Sequence, residues 1–473
     1  MTAQKDPSRG QPTLPPEPGT RRYADGHSLA DRCQARLSPG LQQLLHTVDQ
    51  LGEEAGVRVY AVGGFVRDLL LGVKNEDLDL TVAGDGVAFA QRLATRIAGI
   101  GKGPSAFRTA MVIAPDGHKI DVATARCEIY QHPAALPAVK PGTIRNDLFR
   151  RDFSVNTMAF ALNGPEAFIL LDWYGGCADL WDGVLRVLHN RSFRDDPTRI
   201  FRAIRLEQRF GFIFHAHTLR LLHRAVEKGW IERLSGARLW RELRLMLEGE
   251  SPTHGLARLD ELGVLQQIDA TLTLPPERVA VLTRVADTCA ELVEVVPQTR
   301  MRVWLAYLAA LLQGLHPDAI RRVCTRLALS PGVTAELVGG ITGVEEACHR
   351  LQPEGDVQPS QIVAALRGLP LEMILLLLVS CPGLAVRERA WRYVTTLQHI
   401  RPSLTGDDVK RLGVPQGRQI GQLLAHLLAA KLDGEAPTRT DEEAIVQHAL
   451  QQGPNRSRFD VQGSTLEVNN LEP

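Results

Sequence analysis

Asp77 and Asp79 stand two residues apart in the run Asp-Leu-Asp-Leu-Thr-Val, residues 77–82. The run reads as a strand, and side chains two apart on a strand project to one face. Two carboxylates so placed can grip a pair of Mg²⁺ ions, whose work is phosphoryl-type transfer. Just upstream lies Ala-Val-Gly-Gly-Phe-Val-Arg-Asp, residues 61–68. Gly63 and Gly64 let backbone N–H groups approach a phosphate, and Arg67 stands where it can add positive charge. Residues 107–113 and 119–123 read as two more strands joined by Pro-Asp-Gly, a turn signal. That hairpin can bring Asp121 beside the first pair as a third carboxylate.

A second stretch with chemical potential is residues 193–212, Phe-Arg-Asp-Asp-Pro-Thr-Arg-Ile-Phe-Arg-Ala-Ile-Arg-Leu-Glu-Gln-Arg-Phe-Gly-Phe. Asp195 or Asp196 supplies an N-cap, and Pro197 suits the first helical turn. Arg199, Arg202 and Arg205 are three apart, Asp196 continues the series, and all four share one face. Ile200, Ala203 and Ile204 cover the opposite side. Between residues 186 and 244 there are fourteen Arg or Lys against six Asp or Glu. The whole chain has zero net charge, but it is this local excess that a phosphate-rich ligand requires.

The elements that must position these residues follow from patterning. Residues 37–55 form an amphipathic helix through Leu41, Leu44, Leu45, Val48 and Leu51. Residues 57–62 form a strand, Gly63-Gly64 a turn, residues 65–71 a short helix, and residues 86–97 another. Residues 127–144 hold three prolines and no period. At residues 148–162, Leu-Phe-Arg-Arg-Asp-Phe-Ser-Val-Asn-Thr-Met-Ala-Phe-Ala-Leu, Asp152 can cap a helix that starts there. Residues 171–188 read as a strand, a turn and a short helix. From residue 251 the pattern is helical nearly to the end, interrupted at prolines such as Pro275-Pro276.

With 473 residues, 44% of them hydrophobic, several domains are expected. The seven cysteines are scattered without metal-ligand spacing, and their odd number with no signal peptide points to reduced thiols in a cytoplasm. The most apolar runs, Val303–Leu312 and residues 373–379, are far shorter than the ~20 residues a membrane span needs and read as buried helices.

Gly-Gly-x-Val-Arg-Asp followed by Asp-x-Asp resembles the polymerase-β-type nucleotidyltransferases, specifically the class II tRNA nucleotidyltransferase and bacterial poly(A) polymerase family. Arg-Arg-Asp-Phe-Ser-Val-Asn-Thr-Met is similar to the family's second motif, with Ser154 and Thr157 in place of Thr and Ala. By that resemblance Arg151 meets the triphosphate or sugar and Asn156 lies near the ribose. Residues 127–144 correspond to a mobile loop close to the nucleotide. Residues 171–188 resemble a third motif that joins head to neck. Asp195-Asp196-Pro-Thr-Arg199 resembles the base-selecting motif, with Asp195 replacing the usual Glu, so Asp196 and Arg199 inherit the reading of the base edge. A carboxylate can accept from the exocyclic amine of C or A while a guanidinium donates to a ring nitrogen or carbonyl. Uracil and guanine would leave like groups facing each other, a costly mismatch. Arg202 and Arg205 would hold base, ribose or phosphate. Residues 235–248 resemble a bracing motif in which Ala237 replaces an acid while Arg238, Glu242 and Leu243 remain. Residues 406–421 resemble a tRNA-holding tail, where Lys410, Arg411 and Arg418 can meet backbone phosphates.

The resemblance implies an α+β protein: a polymerase-β-like nucleotidyltransferase head with a small mixed sheet, then helical neck, body and tail. The expected boundaries are a disordered leader 1–36, head 37–188, neck 189–262, body 263–400, tail 401–452 and a disordered end 453–473. It implies a cytoplasmic tRNA 3′-end nucleotidyltransferase with tRNA as partner, ATP and CTP as substrates, and no membrane or stable protein partner. Two Mg²⁺ ions would be held by Asp77 and Asp79, with catalysis mostly placement and charge neutralisation. Full CCA, CC-only and A-only addition all remain open. So do poly(A) addition to RNA 3′ ends and a catalytically silent RNA-binding protein on the same frame.

Overall fold

The computed structural model describes residues 29–105, 107–296, 301–353 and 355–451. They fall into two compact units, the first running to Leu274 and including Arg322–Leu329, the second made of Pro275–Arg321 and the residues from Ser330 on.

The first unit begins with helix α1 (Leu29–Arg36) and α2 (Pro39–Ala55). Ser38 caps α2, Pro39 occupies its first turn, and Gly56 ends it at a φ of 64°. Its predicted apolar face is buried throughout. The expected leader is therefore too long: Leu29 and Cys33 of α1 are buried, and Arg32 and Arg36 donate to the carbonyls of Leu69 and Leu70. The C-cap Gly72 N–H closes the end of α3 (Gly64–Leu71) on the Leu69 carbonyl, and the two arginines of α1 add to it and satisfy the Leu70 carbonyl. The rest of the leader and residues 453–473 lie outside the described residues.

A seven-stranded mixed sheet carries the unit, in the order β3 (Ile100–Lys102), β4 (Thr109–Ile113), β5 (Lys119–Thr124), β2 (Leu78–Ala83), β1 (Arg58–Val62), β8 (Ala159–Ala161), β9 (Leu170–Leu171). β2 and β5 run parallel, and the other neighbours are antiparallel. Helix α4 (Gly86–Arg96) packs on β4 and β5 through Phe89, Ala90 and Leu93. Buried Asn163 ties the sheet to α2: its Oδ1 accepts from Val59 N at 2.9 Å, and its Nδ2 donates to the Val57 carbonyl at 2.9 Å and to Glu53 at 3.2 Å.

Two local expectations are corrected. Residues 127–144 are not an irregular loop. They contribute an antiparallel ribbon of β6 (Arg126–Ile129) and β7 (Ala138–Pro141), followed by the first turn of helix α5 (Ile144–Phe149). Prolines fit there because the ribbon has only two strands, both of them edges. The helix expected after Asp152 is a single 3₁₀ turn, Ser154–Asn156, leading into β8. The run from residue 158 to 162 is buried on all sides, and its apolar continuity belongs to a central strand.

Beyond the sheet come α6 (Gly176–Trp181), α7 (Ser192–Asp195), α8 (Thr198–Phe210), α9 (Ala216–Glu227), α10 (Gly236–Leu247) and α11 (Pro252–Glu261). Head and expected neck share one unit because α8 is ion-paired to the head as well as packed on α10 and α11. The second unit is helical, beginning with Pro276–Val295 at the Pro-Pro break. Val303–Leu312 and Leu371–Ser380 are its buried helices. Among the described residues no single helix is long and apolar enough to cross a membrane. The bent pair Pro359–Leu366 and Leu371–Ser380 has the composition for one, but it turns through 112° and its apolar side chains are buried. Cys348 and Cys381 form a disulfide, against the expectation of thiols throughout. Spacing alone could not show that Cys348, within a helix, and Cys381, just past the end of another, come together 33 residues apart.

Replacing Asn163 with Ala orphans the Val59 N–H and the Val57 carbonyl in the interior. We expect the first unit to lose about 2–4 kcal/mol, read as a lower urea midpoint with an unchanged slope.

Candidate active site

Parallel pairing of β2 with β5 sets Asp79 opposite Asp121 in register, and Asp77 precedes β2 at the same edge. Burial pushes the Asp79 carboxyl up to about 6. Arg151 opposes the shift, while Asp121 and Asp77 add to it. Asp121 is also raised, by partial burial and then by Asp77. Three acids thus crowd one sheet edge and repel each other, an arrangement a cation relieves. Among the described residues no group of three or more His, Cys, Asp or Glu side chains is set to enclose a metal by itself.

Asp79 opens on a cleft of about 490 Å³, lined on the head side by Gly64, Arg67, Arg150, Arg151, Asp152 and Asn156. Asp196, Thr198, Arg199, Arg202 and Arg238 line the facing side, with the ribbon's Glu128, Tyr130, Leu136 and Pro137 along the rim. Asp77, Asp121, Gly63 and Arg205 do not line it.

The glycine turn is shaped by a neighbour. Gly63 has a φ of 68°, and a Cβ there would collide with Arg151 Nη1. The missing side chain lets the Arg151 guanidinium lie against the turn, beside Asp79.

Arg67 is placed differently from expectation. It is only 6% exposed, donating to Asp68 Oδ1 at 2.8 and 2.7 Å and to Asn156 Oδ1 at 2.7 Å, with Phe210 4.8 Å below its guanidinium. So committed, it braces the cleft floor more than it offers charge. Asn156 passes the connection on, donating to Asp152 Oδ1 at 2.9 Å. Asp152 Oδ2 accepts from Arg202 Nε and Nη2, both at 2.7 Å. Burial alone would raise the Asp152 pKa, but Arg202, Asn156 and Arg199 hold it well below the usual carboxylate range.

Helix α8 is started by Asp196, whose Oδ1 accepts from Thr198 N at 3.1 Å and Thr198 Oγ1 at 2.5 Å. Ile200, Ala203 and Ile204 are fully buried on its other side. Arg199 is buried and held at both ends, donating to Ser192 Oγ and to the Arg150 carbonyl at 2.7 Å each. Arg205 turns away toward Glu242 of α10, 3.6 Å off. Lys410, Arg411 and Arg418 lie exposed in the second unit. Lys410 and Arg411 pair with Asp407 and Asp408 at 3.0 and 2.9 Å, and Arg418 begins the helix Arg418–Leu432.

Two acids escaped sequence reasoning, Asp147 behind the arginines of the cleft and Glu128 in its lining. Asp147 is fully buried and accepts from Arg150 at 2.8 Å and Arg151 at 3.2 Å. Its i+3 and i+4 spacing to those arginines was a signal, once α5 is known to be helical. Glu128 accepts from Arg126 at 3.1 Å, Arg150 at 2.9 Å and Tyr130 Oη at 2.8 Å. It was hidden because its segment had no recognisable period.

Residues 59–186 match the family described as the poly A polymerase head domain. Residues 211–269 match a probable RNA and SrmB-binding site of polymerase A. The chain is 40% identical over 406 residues to the A-adding tRNA nucleotidyltransferase of Geobacter sulfurreducens, covering 85% of this chain and 46% of that protein. It thus spans about half the length of that relative. It is 30% identical to the CC-adding tRNA nucleotidyltransferase of Deinococcus radiodurans, covering 86% of this chain and 94% of that one. The solved Thermotoga maritima CCA-adding enzyme, complexed with tRNA, superposes with a TM-score of 0.74 at 30% identity, covering 90% of this chain and 99% of that one. A relative matched along nearly its whole length, together with the head motifs in their expected places on the sheet, establishes that the chain belongs to the class II tRNA nucleotidyltransferase and poly(A) polymerase family, of the CCA-adding type.

Proposed function

We propose that this chain transfers a nucleotide from ATP or CTP to the 3′ end of tRNA, without a template strand and with release of pyrophosphate. The observation that carries it is the single cleft with Asp79 on one wall and Asp196 and Arg199 on the other. A nucleoside triphosphate has its phosphates and its base at opposite ends, and the two walls match them. Arg151 against the Gly63-Gly64 turn orients the triphosphate, while Arg202, fixed by Asp152, adds charge alongside. Asp196 and Arg199 meet the base edge, and Arg199 is held rigid before any ligand arrives. The RNA 3′-oxygen then bonds to the α-phosphorus as the bond to the leaving pyrophosphate breaks. Asp77 and Asp79, with Asp121 in support, would hold Mg²⁺, two ions on this reading, which when bound offsets charge on the phosphates and the attacking oxygen.

Lys410, Arg411 and Arg418 are proposed contacts for the RNA backbone. The head, neck, body and tail division is retained as a functional one, with base selection in residues 189–262 and tRNA holding in residues 401–452. A cytoplasmic setting agrees with this substrate. The relative at 40% identity is named A-adding and the one at 30% CC-adding. A addition is therefore the favoured product.

The deciding experiment offers the purified protein tRNA transcripts ending before CCA, after C and after CC, each with labelled CTP or ATP. Labelled A on the CC-ended transcript alone is expected. Label on the shorter transcripts would instead indicate CC or full CCA addition, and long A tracts on any RNA the poly(A) reading. No label anywhere would sink nucleotide transfer.

Asp77→Ala should lower incorporation by ~10³-fold or more while tRNA binding, read by filter retention, stays intact.

The pH dependence follows from Asp79. Its folded value of about 6 lies above the ordinary 3.8, so the metal-free fold binds more protons than the unfolded chain between those values. Without Mg²⁺ its stability falls as pH rises through that window. Activity needs the ionised form and should decline as pH drops through about 6, with the midpoint moving lower as Mg²⁺ is raised. A rate profile flat from pH 5 to 8 would contradict this assignment.

A further inference from the structure

A second cavity, also of about 490 Å³, adjoins the cleft, and Arg150 and Arg199 line both. Two acids adjacent in sequence part company here: Asp196 lines the cleft, and Asp195 lines only the second cavity. Asp195 is 7% exposed, yet among the described residues no hydrogen bond reaches either of its carboxylate oxygens. Its ion-pair partner, Arg191 Nε, stands 3.8 Å away, beyond hydrogen-bond reach. A buried carboxylate so placed is costly, and burial raises its pKa against the pull of Arg191, Arg199 and Arg194.

The rest of the lining supplies ring surface and unused donors. Phe149 and His189 lie ring to ring with centroids 5.7 Å apart, and Tyr130 adds a third ring. Burial, with Arg199 and Arg191, pushes the His189 imidazole down to about 4. At neutral pH it therefore has one N–H donor and one bare nitrogen, and neither is hydrogen-bonded among the described residues. Asn146 Oδ1 accepts from Thr143 N at 3.2 Å and Thr143 Oγ1 at 2.7 Å, which leaves its Nδ2 to donate into the cavity mouth.

We propose that this second cavity is a guanine-binding site, in which the Asp195 carboxylate accepts from the N1–H and the exocyclic amine of the base. Of the four bases only guanine sets two donors side by side at the spacing of one carboxylate's oxygens. Adenine and cytosine set their amine beside a bare ring nitrogen that a carboxylate repels, and uracil has one N–H between two carbonyls. Guanine's remaining O6 and N7 are acceptors, and Asn146 Nδ2 and the His189 N–H are the donors at hand. The rings of Phe149 and Tyr130 offer the base a face to stack on. The preference is opposite to that proposed for the cleft, where guanine is refused, so the assignment does not rest on nucleotide transfer. The base can belong to a free guanosine nucleotide or to RNA, and the chemistry is the same for both.

The test uses a reporter already in the cavity. Cys127 lines it, does not line the cleft, and is the one free cysteine among the described residues that is not buried. Its alkylation by iodoacetamide in the full chain, followed by peptide mass spectrometry, reads occupancy. Saturating guanosine should slow it by roughly 10-fold or more, while adenosine, cytidine, uridine, ATP and CTP leave it unchanged. In Asp195→Asn the amide suits xanthine, whose 2-carbonyl replaces the amine. That variant should need about 10–100-fold more guanosine for the same protection and should become protected by xanthosine. Its unfolding midpoint should not fall, because no partner of the carboxylate is left unpaired. GMP, an RNA tetramer with one guanine, and the same tetramer with adenine instead separate the two sources: the better protector of the first two supplies the base, and the third should give no protection. Absence of protection by guanosine overturns the proposal. So does equal protection by another nucleoside or by the adenine tetramer, protection by ATP or CTP, an Asp195→Asn chain that still prefers guanosine, or a lowered midpoint in that variant, which would make the carboxylate structural.

Discussion

Asp152 and Arg202 meet in a two-point ion pair, Oδ2 against Nε and Nη2 at 2.7 Å, with the carboxylate buried. A charge taken out of water must be paired and hydrogen-bonded or it destabilises the fold. The remaining oxygen of Asp152 is therefore also occupied, by Phe153 N and Asn156 Nδ2 at 2.9 Å each. Breaking the pair would strand a buried carboxylate, so it pins the helix carrying Arg202 to the link between α5 and the 3₁₀ turn that carries Asp152. This pair joins the two walls of the cleft, since Asp152 lines one and Arg202 the other.

The same logic recurs around it. Asp147 is fully buried, yet its pKa stays low because Arg151 and Arg150 outweigh the cost of burial. Arg67 is shared between Asp68 and Asn156. The cleft is thus lined by arginines whose orientations are set by acids behind them. Such groups need little reorganisation when an anion enters, which is where preorganised sites gain over flexible ones. The acids at the sheet edge are arranged in the opposite sense. Arg151 and Arg202 offset part of the repulsion at Asp79, but burial with Asp121 and Asp77 outweighs them, and its pKa stays raised.

Much of this was legible in the residues. The strands around Asp79, the helix after Gly63, the capped helix of Arg199 and the short buried helices of the second half all follow from period, glycine placement and capping. They are local properties, settled within a few residues. The misreadings were of another kind. Residues 127–144 showed no period because a two-stranded ribbon with prolines buries neither face fully. The helix expected to start at Asp152 is a 3₁₀ turn leading into β8, because a short apolar run in a central strand has no alternation to show. The helix at residues 29–36 is hidden in a polar leader, since Arg32 is polar by type and is buried only by its place against α3.

Residue types and spacing by themselves determined that two carboxylates share a strand edge, that arginines share a helix face, and which family's motifs these are. Only the tertiary structure decided which arginines stay available. Arg67 is consumed by Asp68 and Asn156, Arg205 turns to Glu242, and Arg151 lies against Gly63 where no side chain intervenes. The reason is that a guanidinium's role depends on which acid lies within about 3 Å of it, and such distances between residues far apart in the chain exist only once the sheet order and the docking of α8 are set.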